Sequence, residues 1–100
     1  MHIVKFKTLK DFFCKPDYRN SEKELRAWKT IVNSKKWKNP HEVKADFPSA
    51  DHVGNNRIVF NICVNKFRLV VLFRYNIQRV FIRFIGTHKE YDTIKNIRNI

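Results

Sequence analysis

The sequence predicts an α+β fold in which an N-terminal strand and two helices pack on a mostly antiparallel sheet of about four strands. Two observations predict it: the first half has apolar residues at helical spacing, and the second half has runs of Val, Ile and Phe separated by short polar gaps. We expect a single domain over residues 1–100, which is a usual domain size. With 43% hydrophobic and 14% aromatic residues, the chain can form a core, so a disordered chain is excluded.

The N-terminal half is predicted to contain one strand followed by helices. Alternating polar and apolar residues predict the strand over residues 2–6. Apolar residues at helical spacing predict helices over about residues 8–15, 22–36 and 41–46. Residues that can accept hydrogen bonds from a first helical turn mark the helix starts: Thr8, Ser21 with Glu24, and Asn39 before Pro40. The stretch from Pro48 to Asn56 has the turn residues of a loop.

Three consecutive antiparallel strands are predicted over residues 57–64, 67–75 and 79–85. Because alternate residues of a strand project to opposite faces, each strand has an apolar face and a face with arginine. On the last strand, Val80, Ile82 and Phe84 should face the core. The opposite face of the sheet, the arginine face, should then present Arg57, Arg68, Arg74, Arg79 and Arg83 with Phe81 and Ile85. Such a surface suits a nucleic-acid backbone with a stacked base, and exposed arginines without a ligand are the alternative.

The net charge of +12 is concentrated in one segment of the chain. Residues 52–89 contain seven Lys or Arg and no acidic residue. Five of the seven are arginine, whose planar guanidinium binds phosphate oxygens in pairs, so the excess favours phosphate recognition over solubility alone. The chain has only two glycines and no Gly-rich phosphate loop, which excludes the P-loop and Rossmann modes of nucleotide binding.

Several other classes of protein are disfavoured by the sequence. The longest apolar run, Leu69–Phe73, is too short to span a bilayer, and the first residues lack the apolar stretch of a signal peptide. We therefore expect a cytoplasmic protein with no membrane partner. Cys14 and Cys63 are interpreted as reduced core thiols. No group of residues has metal-ligand spacing, so we expect no metal and no cofactor, and a two-metal nuclease is disfavoured.

Reactive side chains are densest directly after the last predicted strand. Thr87 and Glu90 have the spacing of a capping box, so His88 and Lys89 should lie in the first turn of a short helix. Metal-free RNA cleavage needs a base for the 2′-hydroxyl, cations for the pentavalent phosphate and an acid for the 5′-oxygen. An imidazole, an ammonium and the phenol of Tyr91 beside strand arginines can supply these groups. A histidine that lies on the surface or caps a helix is the alternative.

Four ordered motifs resemble the HigB family of bacterial toxins, within the RelE/ParE superfamily. They are Lys44-Ala-Asp-Phe-Pro-Ser-Ala-Asp51, Arg57-Ile-Val-Phe-Asn-Ile62, Asn65-Lys-Phe-Arg-Leu-Val70 and Ile82-Arg-Phe-Ile-Gly-Thr-His-Lys-Glu-Tyr-Asp92. The resemblance covers nearly the whole chain and implies a RelE-like fold and a toxin that cleaves mRNA, usually on translating ribosomes. It also implies neutralisation by a HigA-type helix-turn-helix antitoxin, and binding of operator DNA by the complex.

The resemblance implies roles for single residues as well. Arg68 matches an arginine with which RelE-type toxins stabilise the transition-state phosphate, and His88 matches the proton-transfer histidine of the YafQ-type branch. Tyr91 lies near a tyrosine used in other branches. Charge and position indicate three more catalytic candidates, Lys66, Arg83 and Lys89, and four RNA-binding candidates, Arg57, Arg74, Arg79 and Phe81.

The primary hypothesis from the sequence is an endoribonuclease, an mRNA interferase. A noncatalytic nucleic-acid-binding module and a gyrase poison of the ParE type are the alternatives. The Gly-Thr-His-Lys sequence that ends the last strand favours the nuclease over both, because a binding module or a gyrase poison does not need a group for proton transfer there.

Overall fold

The computed structural model describes residues 1–100 and contains four α-helices and five strands. In chain order they are β1 (His2–Val4), α1 (Phe6–Phe13), α2 (Glu22–Ser34), α3 (Pro40–Asp46), β2 (Asp51–Gly54), β3 (Arg57–Ile62), β4 (Phe67–Arg74), β5 (Arg79–Thr87) and α4 (His88–Asp92). Three short 3₁₀ helices cover Pro16–Ser21, Tyr75–Ile77 and Ile97–Asn99. None of the helices is long and apolar enough to cross a membrane.

The strands form one sheet in the order β1-β5-β4-β3-β2. The pairs β2–β3, β3–β4 and β4–β5 are antiparallel, and β1 is parallel to β5. The predicted α+β class with a mostly antiparallel sheet is confirmed, with one strand more than expected. The additional strand, β2, lies where a loop was predicted; it is held to β3 by a two-residue turn at Asn55 and Asn56, both with positive φ.

One face of the sheet packs against α1 and α2 and forms the core. The apolar faces predicted for β3 and β4 are both buried there, and the Trp28 ring of α2 meets the Phe60 ring of β3 edge-on at 5.5 Å. Other large buried core residues are Leu9, Phe13, Leu25, Leu69, Val71, Phe73 and Val80. Burying this apolar area leaves the other face of the sheet available for the arginines.

A β-bulge in β5 changes which residues face the core. Phe84 pairs with Val70 and Ile82 with the next residue of β4, so Arg83 is the extra residue. Phe84 therefore lies on the arginine face, and Ile85 packs against the core. The expected faces of Phe84 and Ile85 were wrong, because strict alternation does not continue through a bulge.

The helix starts agree with the sequence at Asn39 and Thr87 but differ at Thr8 and Ser21. The side chains of Asn39 and Thr87 accept main-chain N–H groups of their first turns. Thr8 lies inside α1, which begins two residues earlier. Ser21 makes no cap, because the preceding 3₁₀ helix runs directly into α2 and the Ser21 hydroxyl donates to the main-chain oxygen of Tyr18.

Both cysteines are free, but only Cys63 contacts the core. Cys14 is exposed at the end of α1, so its interpretation as a core thiol was wrong. Cys63 is half-buried in the β3–β4 turn, where burial and then the nearby Glu24 carboxylate raise the pKa of its thiol. Its main-chain N–H donates to Glu24 at 2.9 Å, so the carboxylate expected in a capping box instead ties α2 to this turn.

Candidate active site

The candidate site is built where β5 ends and α4 begins. The Thr87 hydroxyl accepts the main-chain N–H of Glu90 at 3.1 Å, and the Glu90 carboxylate accepts that of Thr87 at 2.8 Å. The predicted capping box is therefore formed. The main-chain N–H of His88 donates to the main-chain oxygen of Lys66 at 3.2 Å. This bond fixes the first turn of α4 to the β3–β4 turn and brings the backbones of His88 and Lys66 together.

Arg68 is held at the same end of the sheet by its pairing with Gly86. The absence of a side chain at Gly86 leaves space that its neighbours use: a Cβ there would lie 2.6 Å from the Phe84 ring and 2.9 Å from the Glu90 carboxylate. Gly86 thus allows the capping box of α4 to form directly against the strand. His88 is only two residues from Gly86, the partner of Arg68, because the strand passes into the helix without a loop.

The Arg68 side chain lies over α4. Its guanidinium lies over the Tyr91 ring, 5.9 Å from the ring centroid, and its Nη1 is buried without a hydrogen-bond partner. A buried donor that makes no hydrogen bond costs free energy, which an anionic oxygen would recover. The pKa of Tyr91 is raised, chiefly by burial, and Arg68 opposes this shift. Tyr91 therefore keeps its phenol proton at neutral pH.

The His88 side chain is half exposed, at 48% of its maximum, and faces solvent. Its Nδ1 lies 2.8 Å from a carboxylate oxygen of Asp92, which is 57% exposed. This contact occupies Nδ1 and leaves Nε2 for another partner. Asp92 was not among the candidates from the sequence, although its spacing of four residues from a helical histidine was the available signal.

The structure separates the predicted site residues into two groups. One group lies at the start of α4 and the adjoining strand end: Lys66, Arg68, His88, Lys89 and Tyr91. The other lies further along the sheet: Arg57, Arg74, Arg79, Phe81 and Arg83. Arg74 and Arg79 pair directly across β4 and β5, and Arg74 is six residues from Arg68, about 20 Å along the strand. These two arginines cannot contact the same phosphate as Arg68.

Arg57 holds the C-terminal segment. Its Nε and Nη2 donate to the main-chain oxygen of Ile100 at 3.2 and 2.8 Å, and its Nη1 donates to Asn55 at 2.9 Å. Burial, followed by the charges of Arg83 and Arg74, lowers the pKa of Arg57. Its predicted contact with RNA stays a prediction, and its donors have partners within the chain.

The arginine face is partly covered, which corrects the expectation of an open surface. Val59, Val70 and Leu72 lie on this face and are buried, although they are outside the main core. Residues 93–100 lead from α4 to β2, where the Arg98 Nε donates to the main-chain oxygen of Val53 at 2.9 Å. This cover was not predicted from the sequence. Its signal there is a large apolar or aromatic residue at every third position, and all four of these residues are half-buried: Tyr91, Ile94, Ile97 and Ile100.

The candidate site is a surface and not a pocket. None of the four cavities in the structure includes His88 or Arg68, and the cavity of about 250 Å³ beside Trp28 lies on the helical side of the sheet. No three His, Cys, Asp or Glu side chains are grouped as metal ligands. An extended polyanion fits such a surface better than a small enclosed ligand does.

The order of elements, the five-stranded sheet and the basic site where β5 passes into α4 define a RelE-like protein. The sequence model of the HigB toxins, described as the RelE-like toxic component of a toxin–antitoxin system, matches residues 21–94. The chain therefore belongs to the HigB toxin family, and the resemblance in the four motifs is confirmed. A toxin of such a system has an antitoxin as its partner.

Characterised relatives match over nearly their whole length. The mRNA interferase toxin HigB of Escherichia coli (strain K12) is 36% identical over 94 residues, which cover 92% of this chain and 88% of the relative. The mRNA interferase HigB of Shigella flexneri gives the same values. The mRNA interferase HigB of Escherichia coli O6:H1 is 24% identical over 96 residues, with 94% and 91% covered.

Proposed function

We propose that this chain is an mRNA interferase, an endoribonuclease that cleaves mRNA by metal-free acid–base chemistry at the end of β5. The family and the mRNA interferase relatives support the activity. The observation that carries the choice of site is the buried, unpaired Nη1 of Arg68, at the strand end from which the half-exposed imidazole of His88 projects. A donor without an acceptor is suited to a phosphate oxygen that arrives with the substrate.

In the proposed reaction, His88 Nε2 accepts the proton of the ribose 2′-hydroxyl as its oxygen attacks the adjacent phosphorus. Arg68 donates to a non-bridging oxygen and stabilises the additional negative charge of the pentavalent phosphate. The bond between phosphorus and the 5′-oxygen breaks, and we propose that the Tyr91 hydroxyl donates its proton to this oxygen. The products are a 2′,3′-cyclic phosphate and a new 5′-hydroxyl end.

The other basic residues hold the RNA strand around the scissile phosphate. Lys66 and Lys89 are exposed beside His88 and add positive charge there. Arg74 and Arg79 are exposed at the other end of the strands, and Arg83 is exposed at the bulge in the middle of β5. The Arg83 guanidinium lies 5.8 Å from the centroid of the Phe81 ring. We assign Arg83 to this second group, which binds flanking nucleotides.

The proposal extends to the setting in which the toxin acts. We assign it to the cytoplasm, where its substrate is mRNA on translating ribosomes, because a net charge of +12 favours association with the phosphate-rich ribosome surface. The antitoxin is of the HigA type with a helix-turn-helix, and the complex of the two binds operator DNA. The relatives, which are mRNA interferases of the HigB type, support the HigB assignment of the toxin.

Primer extension on cellular messages after induction tests the function. New 5′ ends are expected with the natural chain, and His88→Ala should reduce them about 100-fold, the usual loss for a proton-transfer group. His41→Ala on α3 is the matched control and should cleave normally. Intact messages with DNA breaks would identify a gyrase poison, and bound but uncut RNA would identify a noncatalytic binding module.

A further inference from the structure

We propose that Asp92 is a positioning residue for His88, which it holds in the tautomer with a proton on Nδ1 and a free electron pair on Nε2. This inference rests on the proposed function in taking His88 as the proton-transfer group. The carboxylate acts through the imidazole and does not contact the RNA. The same arrangement of carboxylate and imidazole orients the general base in other enzymes.

The local geometry favours this role. Asp92 is four residues after His88 on α4, so the two side chains lie on the same side of the helix. The Nδ1 to oxygen distance of 2.8 Å is that of a charge-assisted hydrogen bond. Because the capping box at Thr87 fixes the start of α4, the two side chains approach from a defined backbone.

Asp92 makes the side-chain hydrogen bond to His88 Nδ1, and the nearest other side chains are poor substitutes. The cationic side chains of Lys66, Lys89 and Arg68 have donors only, so they cannot accept the Nδ1 proton. The Glu90 carboxylate already accepts the main-chain N–H of Thr87 at 2.8 Å. Asp92 is therefore the acceptor that selects the Nδ1–H tautomer.

The tautomer determines whether His88 can act as the base. With the proton on Nδ1, the Nε2 electron pair can accept the proton of the 2′-hydroxyl, which leaves an imidazolium with both nitrogens protonated. The Asp92 carboxylate, hydrogen-bonded to Nδ1, stabilises the imidazolium that forms. With the proton on Nε2 instead, Nε2 has no free electron pair and cannot accept the proton of the 2′-hydroxyl.

An ordinary helix-surface ion pair would have similar geometry, and the chain contains one. Arg26 and Glu22 on α2 are also four residues apart, at 2.7 Å, with exposed fractions of 50% and 45%. Removing Glu22 changes the net charge by the same amount as removing Asp92. Glu22→Ala is therefore a matched control for a purely structural pair.

Two measurements test the role of Asp92. Ring ¹⁵N NMR of the free protein should show Nδ1 protonated in the natural chain and in Asp92→Glu, and a mixture of tautomers in Asp92→Ala. On an RNA substrate, Asp92→Ala should lower kcat about 10-fold with KM unchanged, a part of the loss of roughly 100-fold expected for removing the imidazole. Asp92→Glu should recover most of the rate, and Glu22→Ala should not change it.

Combining the substitutions separates positioning from an independent effect. In the His88→Ala background, Asp92→Ala should cause no further loss, because residues that act as a unit are not additive. An equal loss in both backgrounds, or a natural chain with the proton on Nε2, would overturn the inference. Normal cleavage by His88→Ala alone would overturn the proposed site instead, and the NMR result would still report separately on the Asp92 contact.

Loss of α4 is a further possible cause of a slower Asp92→Ala variant, and amide exchange checks it. Alanine has a higher helix propensity than aspartate, so the α4 amides should keep their protection in the variant. The capping box at Thr87 and Glu90 is also untouched by the substitution. Asp92→Leu is a second variant that lacks the carboxylate. The positioning role would be contradicted if the α4 amides lost protection in Asp92→Ala while Asp92→Leu kept α4 and cleaved at the natural rate.

Discussion

Arg68 and Gly86 face each other across β4 and β5, and this pairing places the Arg68 guanidinium at the strand end where α4 begins. Gly86 leaves room there for the carboxylate that caps α4. The phosphate-binding candidate and the proton-transfer candidate are thus positioned by one strand-to-helix junction. Removing the Arg68 guanidinium or the His88 imidazole from this junction should therefore affect catalysis more than folding.

Arg68→Ala is expected to lower the rate of RNA cleavage about 100-fold or more, because it removes the donor proposed to stabilise the transition-state charge. Arg68→Lys should recover little, since an ammonium lacks the planar pair of donors. The free energy of unfolding should stay the same or rise by about 1 kcal/mol, because Arg68 Nη1 is buried without a hydrogen-bond partner in the natural chain. Cleavage assays and urea unfolding measure the two quantities. Arg19→Ala, which removes the same charge from the 3₁₀ helix Pro16–Ser21, is the control. An unchanged rate in Arg68→Ala would refute the assignment.

Arg74→Ala combined with Arg79→Ala should weaken RNA binding without changing kcat at saturating substrate. Each lost phosphate contact reduces the dependence of log affinity on log salt by about 0.7 for a single strand, so the slope should fall by roughly 1.4. Binding titrations over a range of salt measure it. Lys10→Ala with Lys23→Ala removes the same charge from the helical side. An equal loss of affinity in that control would show that net charge alone is responsible.

The helices and the long strands could be predicted from the sequence because each carries its own apolar pattern. β2 could not, since Asp51–Gly54 has one large apolar side chain and becomes a strand only through pairing with β3. The bulge at Arg83 was also hidden, because an alternating sequence continues through it unchanged. Long-range pairing, which a local pattern does not contain, decides both features.

The candidate site was predictable where local rules apply. The Thr87 and Glu90 spacing predicted the turn that carries His88, and the capping box is formed. The cover over the arginine face was not predictable from strand alternation, which indicates the face of Arg57 but not its partner. That partner, Ile100, is 43 residues away in the chain.

Arg57→Ala should release the C-terminal segment. The substitution removes the donors that bind Ile100 and Asn55, so the free energy of unfolding should fall by about 1–3 kcal/mol. Amide exchange should increase in residues 97–100 more than in β3. The exposed Arg79→Ala is the control for charge and should leave both measurements unchanged. Weaker RNA binding by Arg57→Ala with unchanged exchange would instead support the predicted RNA contact.

Tyr75→Phe should stabilise the protein, and more so at high pH. The Tyr75 hydroxyl is buried without a hydrogen-bond partner, so its removal should be neutral or stabilising by up to about 1 kcal/mol near neutral pH. Burial raises the pKa of Tyr75 to about 12, above the ordinary tyrosine value of 10.0. As the pH rises above about 10, the unfolded chain loses this proton before the folded one, so the natural chain loses stability that Tyr75→Phe keeps.

The advantage of Tyr75→Phe should therefore be complete only above the folded pKa and smallest below pH of about 10. Urea unfolding of both chains near neutral pH and at about pH 11 measures the difference, in which the titration of the many lysines cancels. Tyr18→Phe, which removes the hydroxyl of a ring that stacks on Phe12 at 4.4 Å, is the control for losing a tyrosine hydroxyl elsewhere in the chain. A constant difference between Tyr75→Phe and the natural chain at all pH values would mean that the Tyr75 hydroxyl is solvated in the folded protein.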